Sequence, residues 1–341
     1  MSVTEGGAPI RVKQQLPLQR RGTWLQDLGD WWTFLILILL VIIFSITAPG
    51  FATGQNFVST TVSASNTVIL AIAETFVIIT GGIDLSVGAI LGLSGIVGAT
   101  VMQNMMVHGD MPALILGVLA GLGTGIVAGA VNGFVISFME ITPFIATLGM
   151  LGIGTGLTYL VSNGTDIVNI PPELSTFGDA VLFNFLGIPA LLALVLLLLA
   201  WFFLTKTRFG KYTYAIGSNA EGTRRSGVNV KAHLFKIYTL SGLLSGFAGV
   251  LIVARLATGS PLEGTNDELN AIASVVIGGA SLFGGRGTLF GSTVGALVIS
   301  VLVSGLVIMG VQPYWQQVTI GVIIILAVYV DQRRYRNRVL K

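Results

Sequence analysis

From residue 32 onward the chain is a run of ten apolar stretches, parted by gaps too short to hold a folded domain. A helix needs about 20 apolar residues to cross the hydrocarbon core of a bilayer. Lipid offers a backbone amide no partner, so a spanning segment must satisfy its own hydrogen bonds. The stretches show no long period-two alternation, and they read as helices over roughly 32–48, 59–79, 84–106, 112–139, 142–161, 187–205, 234–256, 268–282, 287–309 and 312–330. The eighth is short, and Gly278, Gly279, Gly284 and Gly285 crowd its end. It reads either as a full span or as a re-entrant or broken helix, which is tolerated where protein or a cavity covers the backbone.

Composition agrees. Charged residues make up 10% of the chain, against roughly 25% in a soluble domain. Hydrophobic residues are 53% and the mean hydropathy is +0.86. So few charges do not cover a soluble surface. The absence of cysteine excludes disulfides and thiolate chemistry. His108 and His233 lack a ligand-like spacing and read as loop or helix-end residues. No cleavable signal peptide is evident, so the first apolar run reads as a retained helix.

Charge gives an independent test of the count. With the N-terminus in the cytoplasm and ten crossings, the inner segments hold Arg11, Lys13, Arg20, Arg21, the basic residues of 206–236, Arg286 and the basic residues of 333–341, and only Arg255 falls toward the outside. The outer loops hold Asp110, Asp166, Glu173, Asp179, Glu263, Asp267 and Glu268. That is the positive-inside asymmetry. The expected organisation is all-α and polytopic, about ten transmembrane helices with both termini cytoplasmic. It comprises an N-terminal segment over 1–31, a membrane domain over 32–330 with a cytoplasmic loop at 206–233, and a basic tail over 331–341.

Several stretches stand out. In "ITGGIDLSVG" the pair Gly81 and Gly82 predicts an inner turn with a positive φ at Gly82. Asp84 follows at or near a helix N-cap, where free amides favour a carboxylate; a proton relay is the competing role. Glu74, ten residues earlier, lies inside an apolar span. Such an acid is costly and faces a bundle interior or a cavity, so it reads as a route-lining or gating residue or as a neutral packing residue. "IGGASLFGGRGTLFG" repeats the design, with Gly284, Gly285 and Arg286 at a second inner turn. Glycines at 117, 121, 125, 129 and 133 share one helix face and read as a close-packing seam. The outer acidic loops read as solvated surface or as a match for a basic rim on a partner. The inner loop over 205–236 carries a candidate helix over 219–226, capped by Asn219 and stopped by Gly227. It reads as a docking surface, with a plain basic anchor as the alternative. No Walker-type phosphate loop is present.

Five blocks in order carry a family resemblance: "ITGGIDLSVG", "TPFIATLGM", "TRFGKYTYAIGSNAEGTRRSGVNV", "ASVVIGGASLFGGRGTLFG" and "YWQQVTIGVIIILAVYVD". With them the chain resembles the permease subunit of bacterial ABC importers for monosaccharides, of the ribose/xylose/galactose type. The resemblance implies a multi-pass protein of the bacterial inner membrane that does no covalent chemistry. It implies a second permease chain, in the simplest case an identical one, and a cytoplasmic ATPase, often two fused domains, that binds ATP and Mg. It also implies a periplasmic or lipid-anchored sugar-binding protein, and no cofactor or nucleic acid on this chain. The coupling segment of the family falls on Gly210, Asn219, Glu221, Arg224, Arg225 and Gly227. Here "EGTRRSG" stands where many relatives have "EAARLSG", and Gly222 weakens that short helix by roughly 1 kcal/mol relative to alanine. For the sugar route the nominated residues are polar ones in apolar spans: Asn66, Glu74, Asn132, Thr142, Thr147 and Asn270. Asn132 and Asn270 read equally as helix–helix hydrogen-bond donors. An ion-coupled secondary transporter of a small polar solute is the alternative function; a channel or a receptor-like protein fits less well.

Overall fold

A computed structural model describes residues 24–339, with side chains over 32–329 and 331–333. The basic residues Arg11, Lys13, Arg20, Arg21 and Lys341 therefore lie outside the described residues, as does most of the 1–31 segment. By its internal contacts the chain forms two units, Met1–Trp32 and Thr33–Lys341. The first contributes the start of α1 (Trp24–Thr47). The second holds the rest of α1 and α2 (Gly54–Ile79), α3 (Val87–Met105), α4 (Asp110–Ser137), α5 (Pro143–Ser162) and α6 (Pro172–Asp179). A small hairpin, β1 (Val181–Leu182) and β2 (Leu186–Gly187), precedes α7 (Ile188–Lys206), α8 (Arg208–Ser218) and α9 (Ala220–Arg225). The chain ends in α10 (Val230–Leu256), α11 (Asp267–Ile277), α12 (Leu289–Ile308) and α13 (Pro313–Val339).

Among the described residues eight helices are long and apolar enough to cross a membrane, and the apolar part of α1, Trp32–Thr47, is shorter. The fold is all-α and polytopic. The ten apolar stretches all become helical, but the eighth is not a continuous span. Its helix, α11, has 11 residues, a rise of roughly 16 Å, about half the hydrocarbon core.

How the chain reaches α11 follows from its neighbours. α3 and α10 run side by side in the same direction. Ser241 of α10 meets Asp84 where α3 begins, a Cβ on Gly95 would lie 3.1 Å from the Gly249 carbonyl further along, and Gly259 abuts Ala99. Beyond Gly259 the chain folds back: the Glu263 carbonyl lies against Gly92 and the Gly264 carbonyl against Gly88. The segment thus returns 11 residues along α3 before α11 begins, again roughly 16 Å. Glu268 is buried there against Gly88. It does not lie on a solvated outer loop, as the charge pattern suggested, because the fold-back carries it inward.

The glycine seam is a packing device. Gly117 lies against α3, and Gly125 and Gly129 lie against Gly242 and Gly246 of α10, with a Cβ on Gly125 only 2.8 Å from the Gly246 Cα. Helix backbones approach this closely only where side chains are absent, and in lipid such contact replaces the hydrophobic drive for association. α2 and α10 form the buried centre, with α2 buried almost without break over Ala64–Ile79 apart from Thr67. Hydroxyls clasp helices together: Thr75 bonds Ser292 at 2.7 Å and Thr60 bonds Ser304 at 2.8 Å, joining α2 to α12.

Candidate functional site

The two glycine turns that echo each other in sequence touch in space. Gly81 (φ +85°) ends α2, and Gly284 and Gly285 (φ +82° and +72°) lie between α11 and α12. The Gly285 N–H donates to the Ile79 carbonyl at 2.8 Å. A Cβ on Gly284 would lie 3.1 Å from the Gly81 Cα. The positive φ sits at Gly81, not at Gly82 as the turn reading expected. Gly82 is needed for another reason: a Cβ there would strike the Tyr238 hydroxyl. Arg286 is exposed, and its carbonyl accepts from the Ser281 N–H at 3.1 Å.

α8 closes the third side. A Cβ on Gly217 would collide with the Ile79 carbonyl and crowd the Gly285 N–H. The Tyr214 hydroxyl donates to the Gly287 carbonyl at 2.7 Å, and burial pushes its pKa above the ordinary phenol value. Gly210 sits where a side chain would run into the Leu204 backbone, so α8 turns back tightly on α7. The 205–236 segment is therefore anchored to both glycine turns. α9 extends from it as the sequence predicts, with the Asn219 side chain accepting from the Gly222 N–H at 2.8 Å and Gly227 at φ +86° ending it. Glu221 pairs with Arg224 and Arg225 within that helix, at 2.5 and 3.1 Å, and all three side chains are half or more exposed.

Just inside the first turn lies a buried polar cluster. Glu74 and Asp84 are 0% and 1% exposed. The Asp84 N–H donates to Glu74 Oε1 at 3.1 Å. Asp84 Oδ1 accepts from the Ser86 N–H and hydroxyl at 3.0 and 2.5 Å, and Oδ2 accepts from the Ser241 hydroxyl at 2.9 Å. Asn132 donates to the Ser86 hydroxyl at 2.8 Å. The helix N-cap is Ser86, two residues on, so Asp84 does not cap α3; its carboxylate joins the start of α3 to α10, its N–H reaches Glu74 of α2, and Ser86 carries the cluster on to Asn132 of α4. Among the described residues, Glu74 Oε2 and the Tyr238 hydroxyl are buried without a hydrogen-bond partner.

The other nominated residues scatter. Thr147 bonds the Ile83 carbonyl at 3.2 Å and so braces the same turn from α5. Asn66 is buried on α2. Thr142 is the exposed residue before α5, with no capping bond from its side chain. Asn270 bonds Asp267 at 3.3 Å within α11. Ser86, Ser241 and Tyr238 were not singled out in sequence. Serine gives little signal because in a helix it commonly bonds its own i−4 carbonyl, as Ser45 and Ser245 do. At the same end of the bundle Glu140 (φ +58°) pairs with Lys231 at 2.6 Å, which joins the α4–α5 connection to the start of α10. Lys231 holds the exposed Glu140 carboxyl below its ordinary pKa.

The sequence profile described as branched-chain amino acid transport system / permease component matches residues 56–328. The D-allose transport system permease protein of Escherichia coli is 36% identical over 327 residues, covering 96% of this chain and 98% of that one. The ribose import permease protein of Bacillus subtilis is 40% identical over 314 residues, covering 91% and 94%. The galactose/methyl galactoside import permease protein of Salmonella typhimurium is 37% identical over 328 residues, covering 93% and 97%. No solved structure matches. An all-α membrane bundle with an anchored helical segment at one end, matched nearly end to end by these proteins, belongs to the permease subunits of bacterial ABC sugar importers.

Proposed function

We propose that this chain, with a second copy of itself, forms the translocation path of a monosaccharide importer, and that α8 and α9 receive the stroke of a cytoplasmic ATPase. The termini and the α8–α9 end face the cytoplasm, as the basic residues indicate. A sugar-binding protein delivers the solute at the other face. The observation that carries the reading is the packing of α8 against both glycine turns at once, with the charged surface of α9 left exposed. A push on α9 passes through α8 to Ile79 and Gly285, and so to the ends of α2 and of the α11 segment. Rigid elements in contact transmit such a displacement. The bound sugar is ribose, allose, galactose or a related monosaccharide.

The test reverses one charge. Arg224→Glu is expected to insert normally while ATPase co-purification weakens or ATP hydrolysis escapes control by the loaded binding protein. The Glu221–Arg224 pair is exposed and contributes only about 0.3–0.5 kcal/mol, so lost folding does not explain such a result. Arg336→Glu in the basic tail is the control. Equal and full ATPase retention and uptake in both variants would refute the contact.

A discontinuous crossing beside buried acids also suits an ion-coupled transporter. Uptake into vesicles separates the readings: the importer needs ATP and the binding protein, whereas the transporter needs only an ion gradient.

A further inference from the structure

α2 and α10 carry a second feature at the ends remote from α8 and α9. A cavity of about 750 Å³ lies there, within the ~300–1,000 Å³ range of small-molecule sites. Gln55, Ser59 and Ser63 of α2 line it, with Arg255 from the last turn of α10 and Asp179 and Asn184 from the end of α6 and the hairpin. The spacing of four puts the three α2 residues on one helix face. All three are exposed, on the polar half of α2 that also carries Asn56, Thr60, Thr61, Ser65, Asn66 and Thr67. Their neighbours Thr61 and Ser65 bond backbone carbonyls of their own helix. None of the six polar side chains around the cavity makes a hydrogen bond or ion pair among the described residues. Val58 and Val62 add apolar wall. Asn184 reaches the cavity from a hairpin tip in which Phe183 and Asn184 both have positive φ, +53° and +61°. Asparagine tolerates that conformation; a bulky residue such as phenylalanine does so only at a cost, and backbone strain of this kind collects at functional sites.

We propose that this cavity is a solute subsite at the outer mouth of the transport route, built for a neutral polyhydroxylated molecule of monosaccharide size. The inference rests on the importer reading. Its lining has one guanidinium and one carboxylate, and the nearby acids Glu263 and Asp267 also act on Arg255, so it has no net positive charge to hold a phosphate. Hydroxyl, amide, guanidinium and carboxylate groups together offer both donors and acceptors. Vicinal hydroxyls use both, and the valines suit the C–H face of a sugar ring. The six polar groups lie on four separate elements, so a solute bound among them bridges α2, α6, α10 and the hairpin. Binding at this mouth therefore presses on the same two helices whose far ends meet α8.

The chain has no cysteine, so Ser63→Cys introduces a single thiol. The test uses that variant assembled with its ATPase in nanodiscs and a membrane-impermeant maleimide. D-ribose, D-allose, D-galactose and D-fructose are the probes, and potassium phosphate is the control. Labelling is expected to proceed, and one of the sugars to slow it by the factor 1 + [sugar]/Kd, roughly tenfold at ten times Kd. Phosphate leaves the rate unchanged. Adding Arg255→Gln shifts protection to higher sugar concentration. A thiol that does not label, or one that no sugar protects in a complex that takes up one of these sugars, overturns the subsite and leaves the importer reading standing. A complex with ATPase and binding protein that takes up no monosaccharide overturns both.

Discussion

Tyr238 buries a hydroxyl that has no hydrogen-bond partner among the described residues, and it does so directly over Gly82. The two residues exclude each other's bulk. Gly82→Ala is expected to destabilise by about 1–3 kcal/mol, the usual cost of overpacking a full interior. Tyr238→Phe removes both the orphan hydroxyl and the obstacle, so it should raise Tm on its own and return part of the loss in the double variant. Thermal unfolding of the four purified proteins gives the coupling; strictly additive effects would show that the two groups do not meet. At this scale the sequence was informative where chemistry is unusual for the setting. Glu74, Asp84 and Asn132 were all singled out as polar residues in or beside apolar spans, and they meet in one cluster. Their partners on other helices were not legible, because the distance from Asp84 to Ser241 is set by tertiary approach and not by spacing along the chain.

α8 shows where an element escapes the sequence. Its residues are aromatic, basic and glycine-containing, and they have no apolar run long enough to mark a span, so the segment read as a loop with one short helix at 219–226. The capping signals of Asn219 and Gly227 placed α9 well because they act locally. α8 is held by contacts with two turns distant in the chain. Gly217→Ala is expected to lever α8 off Ile79 and Gly285. Expression should persist, while ATP hydrolysis continues without uptake. Normal uptake in that variant would argue against α8 as the transmitting element. The Glu140–Lys231 pair gives a pH test at the same end. Glu140's pKa is lowered by Lys231, so its contribution is present above the ordinary carboxylate pKa and is lost as pH falls through the lowered value. The stability advantage of wild type over Lys231→Met should therefore hold at neutral pH and vanish in acid. An advantage that does not change with pH would mean Lys231 acts by packing alone.

For the whole molecule, the all-α polytopic class and the order of the apolar segments were legible from hydropathy, while lysine and arginine give an expected side for each, which cysteine labelling tests. What hydropathy could not supply is depth. The α10–α11 connection looked like an outer loop, yet it folds back along α3 to Gly88. The ten-crossing topology is checked with single cysteines. Ser162 is buried and bonds the Thr158 carbonyl, so the exposed neighbour Asp166 is the better site. Asp166→Cys and Lys341→Cys are expected to label from opposite sides of the membrane. Labelling from one side would remove a crossing and with it the assignment of α8 and α9 to the ATPase face.

The half-length α11 bears on how the protein is made. A translocation channel that admits segments by length and greasiness has little reason to accept 11 residues that begin with Asp267 and Glu268. With both termini cytoplasmic, the expected order of events in synthesis is that this stretch waits on the far side and threads inward once α12 arrives to receive it. A reporter fused after Gly287 in a chain ended there should accordingly sit outside the cell, whereas a tag at Arg286 in the finished protein should be reached from within. If both report the same side, the stretch enters the bilayer unaided, and the late step is not needed.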